Sequence, residues 1–305
     1  DVDILTADNK FIEVNYEGFI LEFTVAIIRD SLMRFTSSYS TRHLRRHFTG
    51  LYGVIDAFEV ADKLLQLQRQ SSLHEQHRAR ISELIKAPLL ILPAASRGHA
   101  FCFIRYGEWW AKIDRGENSL KEGTVNIYRM KNPEALTPEF VHQFLYKRQS
   151  REYFHQKINK ILGLQSVLTM PLTPQITGNC SWANVQGIVP VAYAMQQLGV
   201  LHPFSEEEAM MIYRAWVAWD KDRSIDESIQ RFYLAEKPRR ASIAQMLGAV
   251  LFQTCDAALP HHLVRAEKIL AILVLPEYKY ILDSYLKIYC IDHLTKKGNN
   301  LLKIL

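Results

Sequence analysis

Cysteine is scarce, with 4 in 305 residues, and none falls in a Cys-x-x-Cys pair. That excludes a disulfide framework and leaves structural zinc without its ligand spacing. Glycine (13) and proline (11) are too few for a collagen-like repeat or a low-complexity linker. Long apolar runs are missing as well. The longest, Ile269 to Leu275, is cut by Pro276, far short of the ~20 residues that span a bilayer. Charge is close to balanced: 37 basic against 32 acidic residues give +5, which offers little to a nucleic-acid partner. The densest basic cluster, Arg42, His43, Arg45, Arg46 and His47, reads as a solvated patch or as a face for an anionic partner. No phosphate-cradling glycine loop, His-Glu-x-x-His or calcium loop occurs, so neither metal nor cofactor is expected. No signal peptide is visible at Asp1, and the unclustered thiols suit a reducing compartment.

What is present is a 48% hydrophobic chain with clear changes of period. Phe11 to Val14 and Phe19 to Ile28 have strand-like composition, although the second fits the start of a helix equally well. Val54, Ile55, Phe58, Ala61, Leu64 and Leu65 form a helical stripe within 51–70, and 72–86 continues in helix. At Pro88 the pattern switches to a short apolar run ending at Pro93, read as a buried strand. His99 to Tyr106 and Glu108 to Asp114 read as a hairpin turning at Gly107, and 124–130 as a third strand, which predicts an antiparallel meander. A long helix is expected over 140–162, ending at Gly163. An irregular crossover follows over 165–179, then a helix from Cys180 to Gly199 that Pro190 divides, at ~3 kcal/mol if left in an ideal interior. Ser205 and Glu208 form a capping box ahead of 209–220. Helices at 242–254, 261–275 and 277–293 complete the chain, with Asp226 and Glu227 read as first-turn acids. The expectation is an α+β fold with a core over 88–200 between a helical N-terminal part, 1–87, and a helical C-terminal part, 201–305.

Chemistry concentrates in His99, Asp114, Gln175 and Cys180. A hairpin turn centred between Tyr106 and Gly107 sets His99 opposite Asp114, with Cβ atoms ~5 Å apart on one face. That is where an acid accepts the imidazole N–H and fixes its tautomer. The geometry depends on register. Cys180 opens a helix after Thr177-Gly178-Asn179, so first-turn N–H groups favour thiolate and can bind an oxyanion. Gly178 allows close backbone approach, and Gln175 is an uncharged donor across the bend. Position alone leaves Cys180 open between this role and that of an inert buried thiol. Trp109 and Trp110 point to opposite faces, one into the core and one toward a substrate groove. Trp182 packs under the helix or lines that groove. His142, His155, His202, His261, His262 and His293 have no persuasive partner pattern.

The order His…Asp…Gln…Cys, with base and acid on adjacent strands and the thiol opening a helix, resembles the papain-like branch of SUMO and ubiquitin-like-protein proteases. The adenoviral protease and the YopJ-type acetyltransferases share this style of arrangement. Gly98-His99 with Gly178-Asn179-Cys180-Ser181-Trp182-Ala183-Asn184 also resembles the cysteine-protease-like effectors of intracellular bacteria such as Legionella. The resemblance covers about 88–200. It implies a papain-like core, His99 as base, Asp114 as its orienting acid, Cys180 as nucleophile and Gln175 as oxyanion donor. It further implies action on ubiquitin or a ubiquitin-like conjugate and translocation into a host cytosol. Three positions depart from the protease pattern: Ala100 stands for an aromatic residue, Ser181 for glycine, and Gln175 lies one residue nearer the cysteine. An acyltransferase using the same triad, and a non-catalytic host-protein interaction module, are the alternatives.

Overall fold

A computed structural model describes residues 2–6, 8, 10–14, 21–67, 75–96, 99–116, 123–175, 179–198 and 205–305. Contacts divide the chain into two units, one of residues 1–15 with 218–305 and one of residues 16–217. The three-part division at 87/88 and 200/201 followed changes in element type; the contact division instead places the first helices with the sheet.

The chain begins with a hairpin of β1 (Val2–Leu5) and β2 (Phe11–Val14). The 16–217 unit starts with α1 (Leu21–Ser37), which resolves the helix-or-strand ambiguity there in favour of helix. A 3-10 segment (Tyr39–His47) leads into α2 (Phe48–Gln66), and α3 (Glu75–Leu84) follows. A five-stranded antiparallel meander comes next, in the order β3 (Leu89–Ser96), β4 (His99–Tyr106), β5 (Trp109–Ile113), β6 (Val125–Met130) and β7 (Leu164–Thr169). Pro93 is tolerated inside β3 because that strand is an edge and needs fewer ladder donors.

Between β6 and β7 the expected long helix is broken into α4 (Pro138–Tyr146), a π-helical turn (Tyr153–Lys157) and α5 (Ile158–Leu162). Lys147 takes an extended conformation and Gln149 bridges Ser96, so the chain doubles back. That reversal lets Phe144 and Phe154 bury against one sheet face together with Leu90, Leu92, Phe101, Phe103 and Trp110. β7 lies in the stretch read as an irregular crossover. As an edge strand with mostly exposed side chains, it lacks the apolar alternation that marks a strand in sequence.

The opposite face, which carries Ala100, Cys102, Ile104 and Ile113, receives α6 (Cys180–Met195). Helices α1 and α2 pack on α6 in turn. Pro190 sits inside α6 without dividing it. The missing N–H leaves the Gln186 carbonyl without its helical donor, and burial of nearly every side chain around the helix offsets that loss. Gly187 brings α6 close to the sheet, since a Cβ there would stand 3.0 Å from Leu172 Cδ1 and 3.3 Å from Ile113 Cγ2.

Helix α7 (Glu206–Leu234) starts with the expected cap, Ser205 Oγ accepting from the Glu208 N–H at 3.2 Å. It runs well past Asp220 and includes the boundary between units. Asp226 and Glu227 are therefore mid-helix, where they pair with Lys268 and Arg223, instead of first-turn acids. The 1–15/218–305 unit is completed by α8 (Lys237–Thr254), α9 (Pro260–Leu273), α10 (Lys279–Leu286) and α11 (Lys296–Ile304). Its core joins Leu5 to Phe232, Leu251, Phe252, Ile269, Ile281 and Tyr285. The fold is α+β with helical flanks. Among the described residues no helix is long and apolar enough to cross a membrane.

Candidate active site

His99 is the first residue of β4, Asp114 directly follows β5, and Cys180 is the first residue of α6. The base and the acid lie on the aromatic face of the sheet, while the helix bearing the thiol covers the other face. The three meet at the end of the strands. The hairpin turns on Gly107–Glu108, with Gly107 at φ 55°, a conformation that favours glycine. Tyr106 therefore pairs with Trp109, and Cys102 with Ile113. That register corrects the expected direct opposition: Asp114 falls diagonal to His99. The shift is two residues, so both side chains stay on one face, and His99 Nε2 lies 2.9 Å from Asp114 Oδ1.

The same Oδ1 accepts the Gly116 N–H at 3.1 Å. Gly116 also sits against the ring, since a Cβ there would lie 2.6 Å from His99 Cε1. With Nε2 committed to the carboxylate, Nδ1 is the nitrogen left for the thiol, and the charge states of His99 and Cys180 favour each other. Cys180 Sγ also accepts the Ala100 N–H at 3.3 Å. His99 and Asp114 side chains are only 12% and 5% exposed, so solvent screens their attraction weakly.

The electrostatics favour a separated proton. Burial opposes the imidazolium, but hydrogen bonds from Asp114 and Cys180 outweigh it and raise His99 to about 9. Burial also pushes the Cys180 thiol up, and the His99 bond together with the Ala100 and Ser181 N–H groups brings it below the ordinary thiol value. Asp114 follows the same logic: burial raises it, and His99, the Gly116 N–H and Lys112 hold it below the usual carboxylate range. By contrast, burial drives the Cys102 thiol well up, with the negative charges of Cys180 and Asp114 adding to the effect.

Gln175 is held near the acid through its N–H, which donates to Arg115 O at 2.8 Å, and its Oε1 is buried without a partner. Asn179 occupies the N-cap of α6 without a side-chain cap bond. Gly178 lies outside the described residues. Trp110 is wholly buried against Phe103 and Phe144, which makes it the core member of its pair and removes it from any groove wall. Trp109 and Trp182 are half-buried.

Two further residues hold the site together. Asn184, fully buried one turn after Cys180, donates Nδ2–H to Ala100 O at 2.7 Å and accepts the Arg115 N–H on Oδ1 at 2.8 Å. It thus ties the nucleophile helix to the residues that follow the base and the acid. Arg115 reaches back with Nε to Thr173 O and Nη1 to Ala183 O, at 2.7 and 2.9 Å. Asn184 was detectable in principle: i and i+4 share a helix face, and an amide in an otherwise apolar helix needs partners.

No protein-family model and no curated protein matches the chain. Among solved structures it is similar to one described as the structure of the Legionella effector AnkH, at 63% identity and a TM-score of 0.90. The match covers 100% of this chain and 65% of that one, so the chain spans just under two thirds of the length of its structural neighbour.

Proposed function

We propose that the chain is a thiol-dependent hydrolase of the papain-like kind, cleaving a peptide or isopeptide bond at the C-terminus of ubiquitin or a ubiquitin-like modifier. The observation that carries the reading is the His99–Asp114 hydrogen bond beside a thiol held on the Ala100 N–H, with the thiol lowered and the imidazole raised. His99 Nδ1 takes the Sγ proton, and Asp114 stabilises the resulting cation. The thiolate attacks the carbonyl carbon, and the first-turn N–H of Cys180 with the Gln175 amide supports the oxyanion. Collapse breaks the C–N bond as His99 hands its proton to the leaving amine. Water, deprotonated by His99, then hydrolyses the thioester and restores the thiol. The modifier as substrate rests on the resemblance in residue order. The effector description of the structural neighbour supports a role as a bacterial virulence factor delivered into host cytosol, and four free cysteines suit that reducing medium.

The test is incubation with ubiquitin and SUMO probes carrying a C-terminal electrophile. One covalent adduct is expected, absent in Cys180→Ala and strongly reduced in His99→Ala. A thioester formed from acetyl-CoA without any probe adduct would instead identify an acyltransferase. Neither product, together with an unreactive Cys180, would leave a host-protein interaction module.

A further inference from the structure

Asp114 has a second oxygen that the triad does not use. Oδ2 is buried and makes no hydrogen bond within normal range. The imidazole of His155 stands over it, with Nε2 at 3.9 Å. His155 comes from the π-helical turn, a conformation often kept for functional positions. Its other nitrogen, Nδ1, lies 2.5 Å from Lys112 Nζ, and Lys112 is itself buried at 5% exposure. An ammonium only donates, so Nδ1 accepts and the imidazole carries its own proton on Nε2, facing the carboxylate. Phe101 separates the two histidines, edge-on to His99 at 4.5 Å and to His155 at 5.4 Å. Among the described residues, the groups around Asp114 include His99 and Cys102 from β4, Lys112 from β5, the Gly116 N–H, His155 from the π-turn and Cys180 at the start of α6.

From this geometry we infer that His155, backed by Lys112, is a positioning residue of the candidate site: it fixes the free oxygen of Asp114 and makes the ionised triad a five-member line, Cys180–His99–Asp114–His155–Lys112. The inference rests on the proposed triad chemistry. It gives a role to a lysine that is buried on the sheet face beside Phe103 and Asn126. A buried ammonium is costly, and here its proton sets the tautomer of the group that holds the acid. Lys112 also contributes a positive potential that eases ionisation of Asp114.

The experiment is the rate of iodoacetamide modification of Cys180, read by peptide mass spectrometry from about pH 5 to 9, which follows the thiolate and needs no knowledge of the substrate. In the wild-type chain Cys180 is expected to react well below the pH of an ordinary thiol. His155→Gln keeps an acceptor for Lys112 and an N–H facing Asp114 and is expected to stay near wild type. His155→Leu fills the space without the Lys112 bond and without a polar N–H facing Asp114, and is expected to slow modification near neutral pH about tenfold. Lys112→Met, matched in length, is expected to move the acid limb to higher pH by about half to one unit, because a nearby positive charge is lost. Circular dichroism checks folding of each variant. Wild-type reactivity at low pH that is unchanged in both His155→Leu and Lys112→Met would overturn the inference and leave the triad reading intact. A wild-type Cys180 that titrates as an ordinary thiol would overturn both.

Discussion

At the scale of single residues, the site depends on small groups as much as on the reactive ones. Gly116→Ala puts a methyl 2.6 Å from His99 Cε1, so the ring must leave Asp114; Cys180 modification is expected to fall at least tenfold near neutral pH while the melting temperature moves little. Asn184→Ala leaves the Ala100 carbonyl and the Arg115 N–H buried without that amide. It is expected to cost about 1–3 kcal/mol in denaturant unfolding and to lower reactivity in the same assay. The pH profile follows from the signs of the shifts. The thiol is lowered and the imidazole raised to about 9, so the ion pair forms below the ordinary thiol range and is lost as His99 deprotonates. Probe-labelling rate is expected to rise through acid pH, hold a plateau and decline near pH 9. His99, Asp114 and Cys180 were legible in the sequence because each pairs a reactive side chain with an element boundary. His155 was not, because its position depends on a π-turn, and a five-residue hydrogen-bond loop leaves no periodic signature.

Among elements, the seat of α6 on the sheet depends on one glycine. Its distance from the sheet is set at Gly187, where Leu172 and Ile113 leave space for a hydrogen but not for a branched side chain. Gly187→Leu is expected to push the helix outward, destabilising by about 1–3 kcal/mol and weakening the Ala100–Cys180 contact, measured by calorimetry and thiol modification in parallel. Four of the five strands of the meander were readable, since β3 to β6 have apolar side chains and clear turn residues. β7 was missed because exposed edge residues carry no burial pattern. The break after Tyr146 was missed for a different reason: the apolar spacing continues through it, and only the packing of Phe144 and Phe154 on one sheet face reveals the reversal. Register was the finest error. Choosing between a turn at 106–107 and one at 107–108 needed the backbone angle of Gly107, which composition does not contain.

For the molecule as a whole, helical segments were visible in sequence but their grouping was not, because contacts between distant stretches decide it. Residues 1–15 share a unit with 218–305, and Leu5 belongs to the same core as Leu251 and Tyr285. Leu5→Ala is expected to destabilise that unit by about 2–5 kcal/mol. Hydrogen–deuterium exchange should then rise across 218–305 while Cys180 keeps its reactivity, the two responses separating the units experimentally. The discontinuity also orders events during synthesis. The ribosome delivers the β1–β2 hairpin before the helices of its unit, which emerge only after some two hundred further residues. Residues 16–217 can acquire their sheet and the α6 helix in that interval, so one unit of a nascent chain can fold while the two separated stretches of the other still wait for each other.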